Sequence, residues 1–270
     1  MFETTSLSGE PLSLQVPDRC VDESIFFMAP HKSGSVLFYN LVDELAAAAQ
    51  KQTFALEPQL FGQGVPLIDC PLEVTQLLEQ PGLYNGFRTL WLLPYVRGFR
   101  EAKKLLLVRD PRDICVSYYF SVTQSHTVPE KGSVRSKLLN QRSEARDMNI
   151  DRFIRSGRCD FVLNNMMAFK RVTEQYENCH IFRYEDVIFQ KQQWAQQIAD
   201  LCGLEVSPEA VAEIAARHDI RPDDERPDQH VRQVSPGNYK RHLRPETWQV
   251  IEKRFKPLFD YFDYPIEAAA

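Results

Sequence analysis

The sequence predicts an α/β fold, built as three α/β/α layers around a central parallel sheet. Three short strand-like runs, SIFFMAP, KKLLLV and HIFRYEDV, are each followed by a helical pattern. Strands with a continuous apolar run, as IFFMA and LLLV are in the first two, are typical of parallel sheets covered by helices on both faces. Successive parallel strands also need a crossover connection, which the intervening helices supply.

Length and composition are those of an ordinary globular protein. The chain has 270 residues, of which 43% are hydrophobic and 26% charged, and this excludes disordered, collagen-like and coiled-coil proteins. We predict one domain over 1–270, with an N-terminal extension over 1–20 and a core over about 24–262. Lys and Arg number 32 against 37 Asp and Glu, so a general nucleic-acid-binding surface is not expected. An anionic ligand must instead be held by a local group of cations.

No segment is expected to direct the chain to or across a membrane. The apolar runs are all shorter than the roughly 18 residues of a membrane span, and the N-terminus lacks the basic and apolar regions of a signal peptide. The six cysteines are scattered, without the CxxC spacing of zinc sites or thioredoxin-like motifs. We therefore expect buried free thiols in a reducing compartment, the cytoplasm.

The first strand–turn–helix unit passes from SIFFMAP through HKSGS into a helix. The helix is indicated by apolar residues that recur on one face: Leu37, Leu41, Val42, Leu45 and Ala49. A helix N-terminus directs backbone N–H groups and a positive dipole at one point, where an anion can bind. Lys32 adds a charge, and Ser33 and Ser35 add hydroxyl donors. A Walker A motif is absent, and an ordinary strand-to-helix turn with a surface lysine is the alternative.

The second unit passes from KKLLLV through RDPRD into the helix ICVSYYF. Asp110 is a good N-cap for this helix. Arg109 lies at the strand end, where open α/β sheets bind ligands, and Ser117 follows eight residues later, about two helical turns on. Guanidinium and hydroxyl can therefore converge on one phosphate. The alternative is that Arg109 pairs with Asp110 or Asp113 in a local capping network.

The remaining chain contains a third unit, two irregular segments and a final helix. HIFRYEDV is followed by the amphipathic QWAQQIADLCGL. Residues 124–143 are polar and broken by Gly and Pro, which predicts a mobile loop, and 218–239 predicts a long surface connection. The final helix is predicted over 245–262.

A basic segment near the C-terminus is a second candidate for anion binding. Residues 229–245 contain no acid but four cations: Arg232, Lys240, Arg241 and Arg244. In an acidic protein this segment is either an anion clamp or a solvated basic face.

Together these motifs resemble those of the sulfotransferases that use 3′-phosphoadenosine 5′-phosphosulfate (PAPS). The 5′-phosphosulfate loop of this family reads roughly PKSGTTW and forms a P-loop-like strand–turn–helix. HKSGSVL matches it here, which implies a nucleotide-binding loop of Lys32, Ser33, Gly34, Ser35 and Val36. The chain departs from the family pattern at His31, Val36 and Leu37, where the family has Pro, Thr and an adenine-stacking Trp.

The other motifs follow in the family's order. The family holds the 3′-phosphate with an Arg at a strand end and a Ser eight residues later, and RDPRDICVSYY matches at Arg109 and Ser117. A Tyr in a strand-end YED lies near the adenine in the family, which implies the same for Tyr184. The family's C-terminal RKGxxGDWK loop corresponds to RQVSPGNYK. This implies nucleotide contacts from Arg232 and Gly237, although RQV replaces RKG.

The catalytic base is the point of largest departure. The small-molecule branch of the family has a His in a KTH segment, and Leu90 of GFRTLWLLP stands at that position. The carbohydrate branch uses a Glu about 25 residues after the loop lysine, and Glu57 lies at that distance from Lys32. His126, in the loop after the second phosphate-binding helix, is the second candidate, and His31 is a weaker one.

The resemblance implies transfer of a sulfuryl group from PAPS to a hydroxyl or amine of an acceptor, with release of adenosine 3′,5′-bisphosphate (PAP). Lys32 would neutralise the charge on the departing nucleotide, and Arg109 would hold its 3′-phosphate. No metal is required, and the sequence has no HxxH or HExxH motif. Two alternatives stay open: a family member that binds the nucleotide without catalysis, and a P-loop-like kinase, which the absent Walker A motif disfavours.

The acceptor is expected to be a small molecule or a glycan. Its pocket is predicted to be formed by residues 59–97, 124–143 and 218–236. These segments contain five notable aromatic side chains: Phe61, Tyr84, Phe87, Trp91 and Tyr95. They indicate an apolar or aromatic acceptor, with packing in the core as the alternative reading. The oligomeric state, including a homodimer, is left open.

Overall fold

The computed structural model describes residues 1–18, 21–125, 128–129, 132–220 and 234–267. The strands are β1 (Phe2–Thr5), β2 (Pro11–Leu14), β3 (Ser24–Met28), β4 (Thr53–Ala55), β5 (Gly82–Phe87), β6 (Lys103–Val108) and β7 (Cys179–Arg183). The helices are α1 (Ser35–Ala48), α2 (Leu56–Gly62), α3 (Pro111–Phe120), α4 (Ser133–Ala145), α5 (Ile150–Arg155), α6 (Asp160–Gln175), α7 (Tyr184–Val187), α8 (Lys191–Cys202), α9 (Pro208–Arg217), α10 (Tyr239–His242), α11 (Pro245–Arg254) and α12 (Lys256–Phe262). Short 3₁₀ segments occupy Leu67–Asp69, Leu72–Leu78 and Leu93–Tyr95, and a π-helical turn occupies Ser121–Ser125.

Strands β3 to β7 form one parallel sheet in the order β4-β5-β3-β6-β7, while β1 and β2 form an antiparallel hairpin. Side chains of the central strand β3 alternate between two hydrophobic cores. Phe26 and Met28 lie in the core covered by α3, α5, α6 and α12, and Ile25 and Phe27 lie in the core covered by α1, α8 and α9. The predicted three-layer fold with a central parallel sheet is therefore confirmed.

The strand order places two of the predicted motifs side by side. Strand β3 pairs with β6 in parallel, with Met28 opposite Leu106, so the two strands end at the same edge of the sheet. The chain leaves β3 toward β4 on one side and later returns to β6 on the other. Open α/β sheets bind their ligands at such a reversal, outside the carboxyl ends of the strands.

Three predicted segments differ in their detail. The mobile loop expected over 124–143 is wrong in its second half, because α4 begins at Ser133. This helix is mostly exposed and has no apolar stripe, so hydrophobic periodicity did not reveal it. The final helix is interrupted at Phe255, since Pro257 has no N–H to continue the helical ladder. The third predicted strand includes the YED motif. In the structure this strand, β7, ends at Arg183, and the YED motif begins the short helix α7.

A buried ionic network joins the start of α3 to α11. The Arg112 guanidinium is 1% exposed and lies 2.6 Å from both Asp110 and Glu252 carboxylate oxygens. The Cζ atom of this guanidinium also lies 4.1 Å from the centroid of the Tyr239 ring. Two buried carboxylates thus depend on one cation, and losing that cation would leave both uncompensated.

We expect Arg112→Met to lower the free energy of unfolding by about 3–5 kcal/mol, because it strands buried carboxylates. Urea denaturation followed by circular dichroism measures the change. Arg158→Met is the matched control, since the Arg158–Glu144 ion pair is exposed and should contribute at most about 1 kcal/mol. Equal stability of the two variants would contradict the network's role.

Candidate functional site

The turn after β3 leads directly into α1 and has an unusual backbone. Lys32 has φ 70° and Gly34 has φ 89°, both in the left-handed region. Gly34 is the N-cap of α1, and a Cβ there would lie 2.8 Å from Cδ2 of Tyr184. Only glycine fits between the turn and this ring, so the turn and Tyr184 hold each other in place. The first N–H groups of α1 have no partners within the helix and are available to a ligand.

Two serines of the turn differ in their surroundings. Ser33 is fully buried, and among the described residues its Oγ has no hydrogen-bond partner. Ser35 accepts a hydrogen bond of 3.3 Å from Nε of Arg88. An unsatisfied hydroxyl in the interior is uncommon and costs stability.

Arg109 follows β6 and faces the same turn. Its guanidinium lies 3.4 Å from Asp113, donates to the Lys32 carbonyl at 3.5 Å and stacks 4.4 Å above the Tyr184 ring. The capping alternative is thus partly present, because Arg109 does pair with Asp113. Its Nε nevertheless is buried without a partner in the part of the chain that the structure describes. Ser117 lines the same cavity as Arg109.

Asp113 also positions the C-terminal segment. Its carboxylate accepts backbone hydrogen bonds of 2.9 Å from Gly237 and from Tyr239. The Tyr184 hydroxyl donates to the Val234 carbonyl at 3.0 Å. Gly237 is therefore linked to Arg109 through Asp113. The predicted contact Arg232 lies outside the described residues.

Glu57 lies in the first turn of α2 and is held by the end of β5. One carboxylate oxygen accepts from the Arg88 backbone N–H at 3.0 Å, and the other accepts from the N–H and hydroxyl of Thr89 at 3.1 Å each. Burial raises the pKa of Glu57 to about 7, although the Arg88 charge and these hydrogen bonds act in the opposite direction. Through Arg88 and Ser35, the carboxylate is connected to the turn before α1.

One cavity of about 1050 Å³ collects most of the predicted site residues. They are Lys32, Gly34, Ser35, Val36, Glu57, Arg109, Ser117 and Tyr184. Ser33 lies behind the turn and Gly237 behind Asp113, so neither is on the cavity wall. His126 lies outside the described residues, so its candidacy as a base stays a prediction.

The predicted aromatic pocket is found in part. Phe61, Trp91 and Tyr95 line the cavity. Tyr84 and Phe87 do not, and that part of the prediction is wrong. Both are 1% exposed and pack against a β3 side chain in the core. Although they are three residues apart, a register irregularity in the β3–β5 pairing places both on the same face of β5.

Helices α4 and α6 contribute a wall that the sequence analysis did not identify. Phe161, Asn165 and Ala168 of α6 line the cavity, at a spacing that places them on one helical face. Val134 and Lys137 of α4, three residues apart, line it as well. An Asn within an otherwise apolar helical face is the one sequence feature that indicates this wall.

Three further features of the described residues concern metal sites, membrane-spanning helices and disulfides. Among them, no group of three or more His, Cys, Asp or Glu side chains is placed to hold a metal ion. Within the same ranges, no helix has the length and apolarity needed to cross a membrane. Four of the five described cysteines are buried and all five are free: Cys70, Cys115, Cys159, Cys179 and Cys202.

Comparison of the sequence and the fold with those of known proteins indicates the family of this chain. The sequence model described as "Sulfotransferase domain" matches residues 22–263. The fold is similar to that of the mouse sulfotransferase SULT7A1 complexed with PAP, with 13% identity, a TM-score of 0.58 and coverage of 89% of this chain and 86% of that one. It is also similar to retinol dehydratase in complex with androsterone and the inactive cofactor PAP, with 14% identity, a TM-score of 0.51 and coverage of 94% and 84%.

A search of curated protein sequences found no match. The two structural likenesses are too distant in sequence to show more than the fold. The family match is of a different kind, because it extends over nearly the whole chain and includes both the turn before α1 and the Arg109 motif. The chain therefore belongs to the sulfotransferase domain family.

Proposed function

We propose that this protein transfers a sulfuryl group from PAPS to a hydroxyl or amine of a small-molecule acceptor and releases PAP. The observation that carries the proposal is that one cavity joins two separate anion-binding groups. The first is the turn before α1 with Lys32, and the second is Arg109 with Ser117. Family membership and the PAP present in the two similar structures support the same conclusion.

The buried guanidinium of Arg109 fits a bound phosphate group. Its Nε lacks a partner among the described residues, Arg109 lines the cavity, and a phosphate oxygen is an acceptor for this N–H. Tyr184 packs beside Gly34 and under the Arg109 guanidinium, so its ring lies between the two proposed anion-binding groups. We assign the phosphosulfate to the turn and the 3′-phosphate to Arg109 and Ser117.

Lys32 and Glu57 have different roles in the proposed sulfuryl transfer. When bound, PAPS supplies the sulfuryl group together with a good leaving group. Lys32 and the first N–H groups of α1 stabilise the negative charge that develops as the bridging S–O bond breaks. Glu57 takes the proton of the attacking hydroxyl, since a carboxylate whose pKa lies near 7 is suited to general-base catalysis at neutral pH. Arg88 and Thr89 hold this carboxylate in a defined orientation.

Nucleotide selectivity tests the two-site assignment. Calorimetry should show PAP binding more tightly than AMP by about 1.5–3 kcal/mol, the value of a charge-assisted hydrogen bond. In Arg109→Ala this difference should largely disappear, because the group that distinguishes the ligands is gone. Arg97→Ala, an exposed arginine away from the cavity, should keep it. Equal affinity of the unaltered protein for the two nucleotides would refute the assignment.

Lys32→Ala and Arg109→Ala should have different kinetic effects. Lys32 acts on charge that appears only during transfer, so its loss should mainly lower kcat. Arg109 contacts a phosphate that does not react, so its loss should mainly weaken PAP binding. Steady-state kinetics with PAPS, together with PAP titrations, separates the two. An unchanged kcat in Lys32→Ala with weaker PAP binding would contradict the catalytic assignment.

Glu57 predicts a pH dependence. The carboxylate form accepts the proton, so kcat/KM should rise with pH up to about 7 and level off above it. Glu57→Gln should lower kcat about 10²–10⁴-fold and abolish this rise, with PAP affinity unchanged. Glu205→Gln, which removes an exposed loop carboxylate, is the control. A Glu57→Gln enzyme with the normal rate and pH profile would transfer the base role to His126.

The same assays decide between the alternatives. Tight PAP binding without sulfuryl transfer to any acceptor would identify a non-catalytic nucleotide-binding protein. Turnover of ATP with Mg²⁺ would instead identify a kinase.

A further inference from the structure

We propose that the acceptor is an amphiphile: an alcohol with an apolar body that also carries a carboxylate, which Lys137 and Asn165 bind while its hydroxyl lies at Glu57. The inference rests on the proposed function and names the substrate class of that site. It follows from the apolar wall, from a cation with no ion-pair partner among the described residues, and from a buried amide nitrogen with no hydrogen-bond partner among them.

The acceptor side of the cavity is assigned to a wall with large exposed apolar side chains. Ile68 is 60% exposed, Trp91 52% and Tyr95 64%, and all three are on the cavity wall. Singly exposed apolar residues are common, but a contiguous exposed patch is typical of a binding surface. An aliphatic or aromatic ligand body would cover these side chains and gain the corresponding hydrophobic free energy.

Lys137 is the cavity cation whose charge the protein does not use. Its ammonium lies 5.9 Å from the centroid of the Phe161 ring. Across the described ranges, no carboxylate lies within ion-pair distance of it. By contrast, Arg109 pairs with Asp113, and Lys191 pairs with an aspartate at 2.8 Å. Since Lys32 and Arg109 are assigned to the nucleotide, Lys137 is a cation available to the acceptor.

Asn165 supplies a neutral donor close to this cation. It follows Phe161 by one turn on the same face of α6, and Lys137 lies over the Phe161 ring. The Nδ2 of Asn165 is buried and has no hydrogen-bond partner within the described part of the chain. Buried polar atoms without partners are uncommon in folded proteins, so a ligand acceptor is expected there. A carboxylate has enough acceptor sites for both donors, and the proposal places it between Lys137 and Asn165.

The charge balance of the wall favours an anion. Among the described residues that line the cavity, Glu57 is the only acid, and three donors already engage it. On the same wall, Lys32 and Arg109 are assigned to the nucleotide and Lys191 pairs with an aspartate, which leaves Arg88 and Lys137 as further cations. Cations that face the acceptor attract anionic ligands and raise their rate of association. A carboxylate on the acceptor would therefore bind more tightly and associate faster than a neutral group.

Matched pairs of acceptors test the inference. Hydroxyphenyl-alkanoic and hydroxy-alkanoic acids of graded chain length are compared with their primary amides, which keep the shape and the hydroxyl but lose the charge. The readout is the ratio of kcat/KM for acid to that for amide, with PAPS as donor. We expect the unaltered protein to favour the acids by about tenfold or more, as one charge-assisted contact provides.

Variants of the two proposed contacts should change this ratio. Lys137→Met should lower it about tenfold, and Asn165→Asp should lower it as well, because an isosteric carboxylate repels the ligand. Lys253→Met is the matched control, since it removes one exposed Lys charge away from the cavity and should leave the ratio as it is. A ratio near one in the unaltered protein, or one that Lys137→Met does not change, would overturn the inference while sulfuryl transfer stands.

A binding experiment keeps the two proposals distinguishable. If no acceptor in the set is sulfated, the proposed function fails on this set, and the ligand class is judged by titration of the PAP-loaded protein. Trp91 on the cavity wall reports binding through its fluorescence, and Trp91→Phe removes that signal. Quenching by acids that exceeds quenching by amides, and that is lost in Lys137→Met, would support the anionic ligand. Equal quenching by both would overturn it.

Discussion

The arrangement of the site depends on a buried carboxylate, that of Asp113. It is 1% exposed and sits in the first turn of α3. Ionised carboxylates are costly in the interior unless paired and hydrogen-bonded, and this one is both: Arg109 pairs with it, and Gly237 and Tyr239 donate to it. The contacts that satisfy this carboxylate therefore position Arg109 at the sheet edge. They also attach the C-terminal segment, through Gly237 and Tyr239, to α3.

Much of the fold and part of the candidate site could be predicted because the determining interactions are local. Asp110 caps α3 by accepting from the Arg112 N–H, two residues away, and the Gly34 turn follows its strand directly. Parallel pairing of β3 with β6 then brings both motifs to one edge. By contrast, α4 has no apolar stripe, and strand alternation alone did not indicate which face of β5 would bury Tyr84.

The interactions that could not be predicted join residues far apart in the chain. Glu57 was chosen by its spacing from Lys32, yet its environment is set by the backbone of Arg88 and Thr89, more than 30 residues later. The two readings of Arg109, an anion site or a capping pair, proved compatible, since one guanidinium contacts Asp113 and still leaves its Nε without a partner among the described residues. The one-domain organisation and the roles of the site residues stay predictions.

The electrostatics of Glu57 explain how one residue can be both held and reactive. Three donors and the nearby Arg88 charge favour the ionised carboxylate, whereas burial disfavours it, and burial has the larger effect. Without the donors the group would stay protonated, and with full exposure it would be too weak a base at neutral pH. The hydrogen bonds that orient the carboxylate therefore also keep its pKa within reach of pH 7. In the proposed mechanism, Arg88 connects this balance to the phosphosulfate turn through Ser35, so the base and the anion site share one structural element.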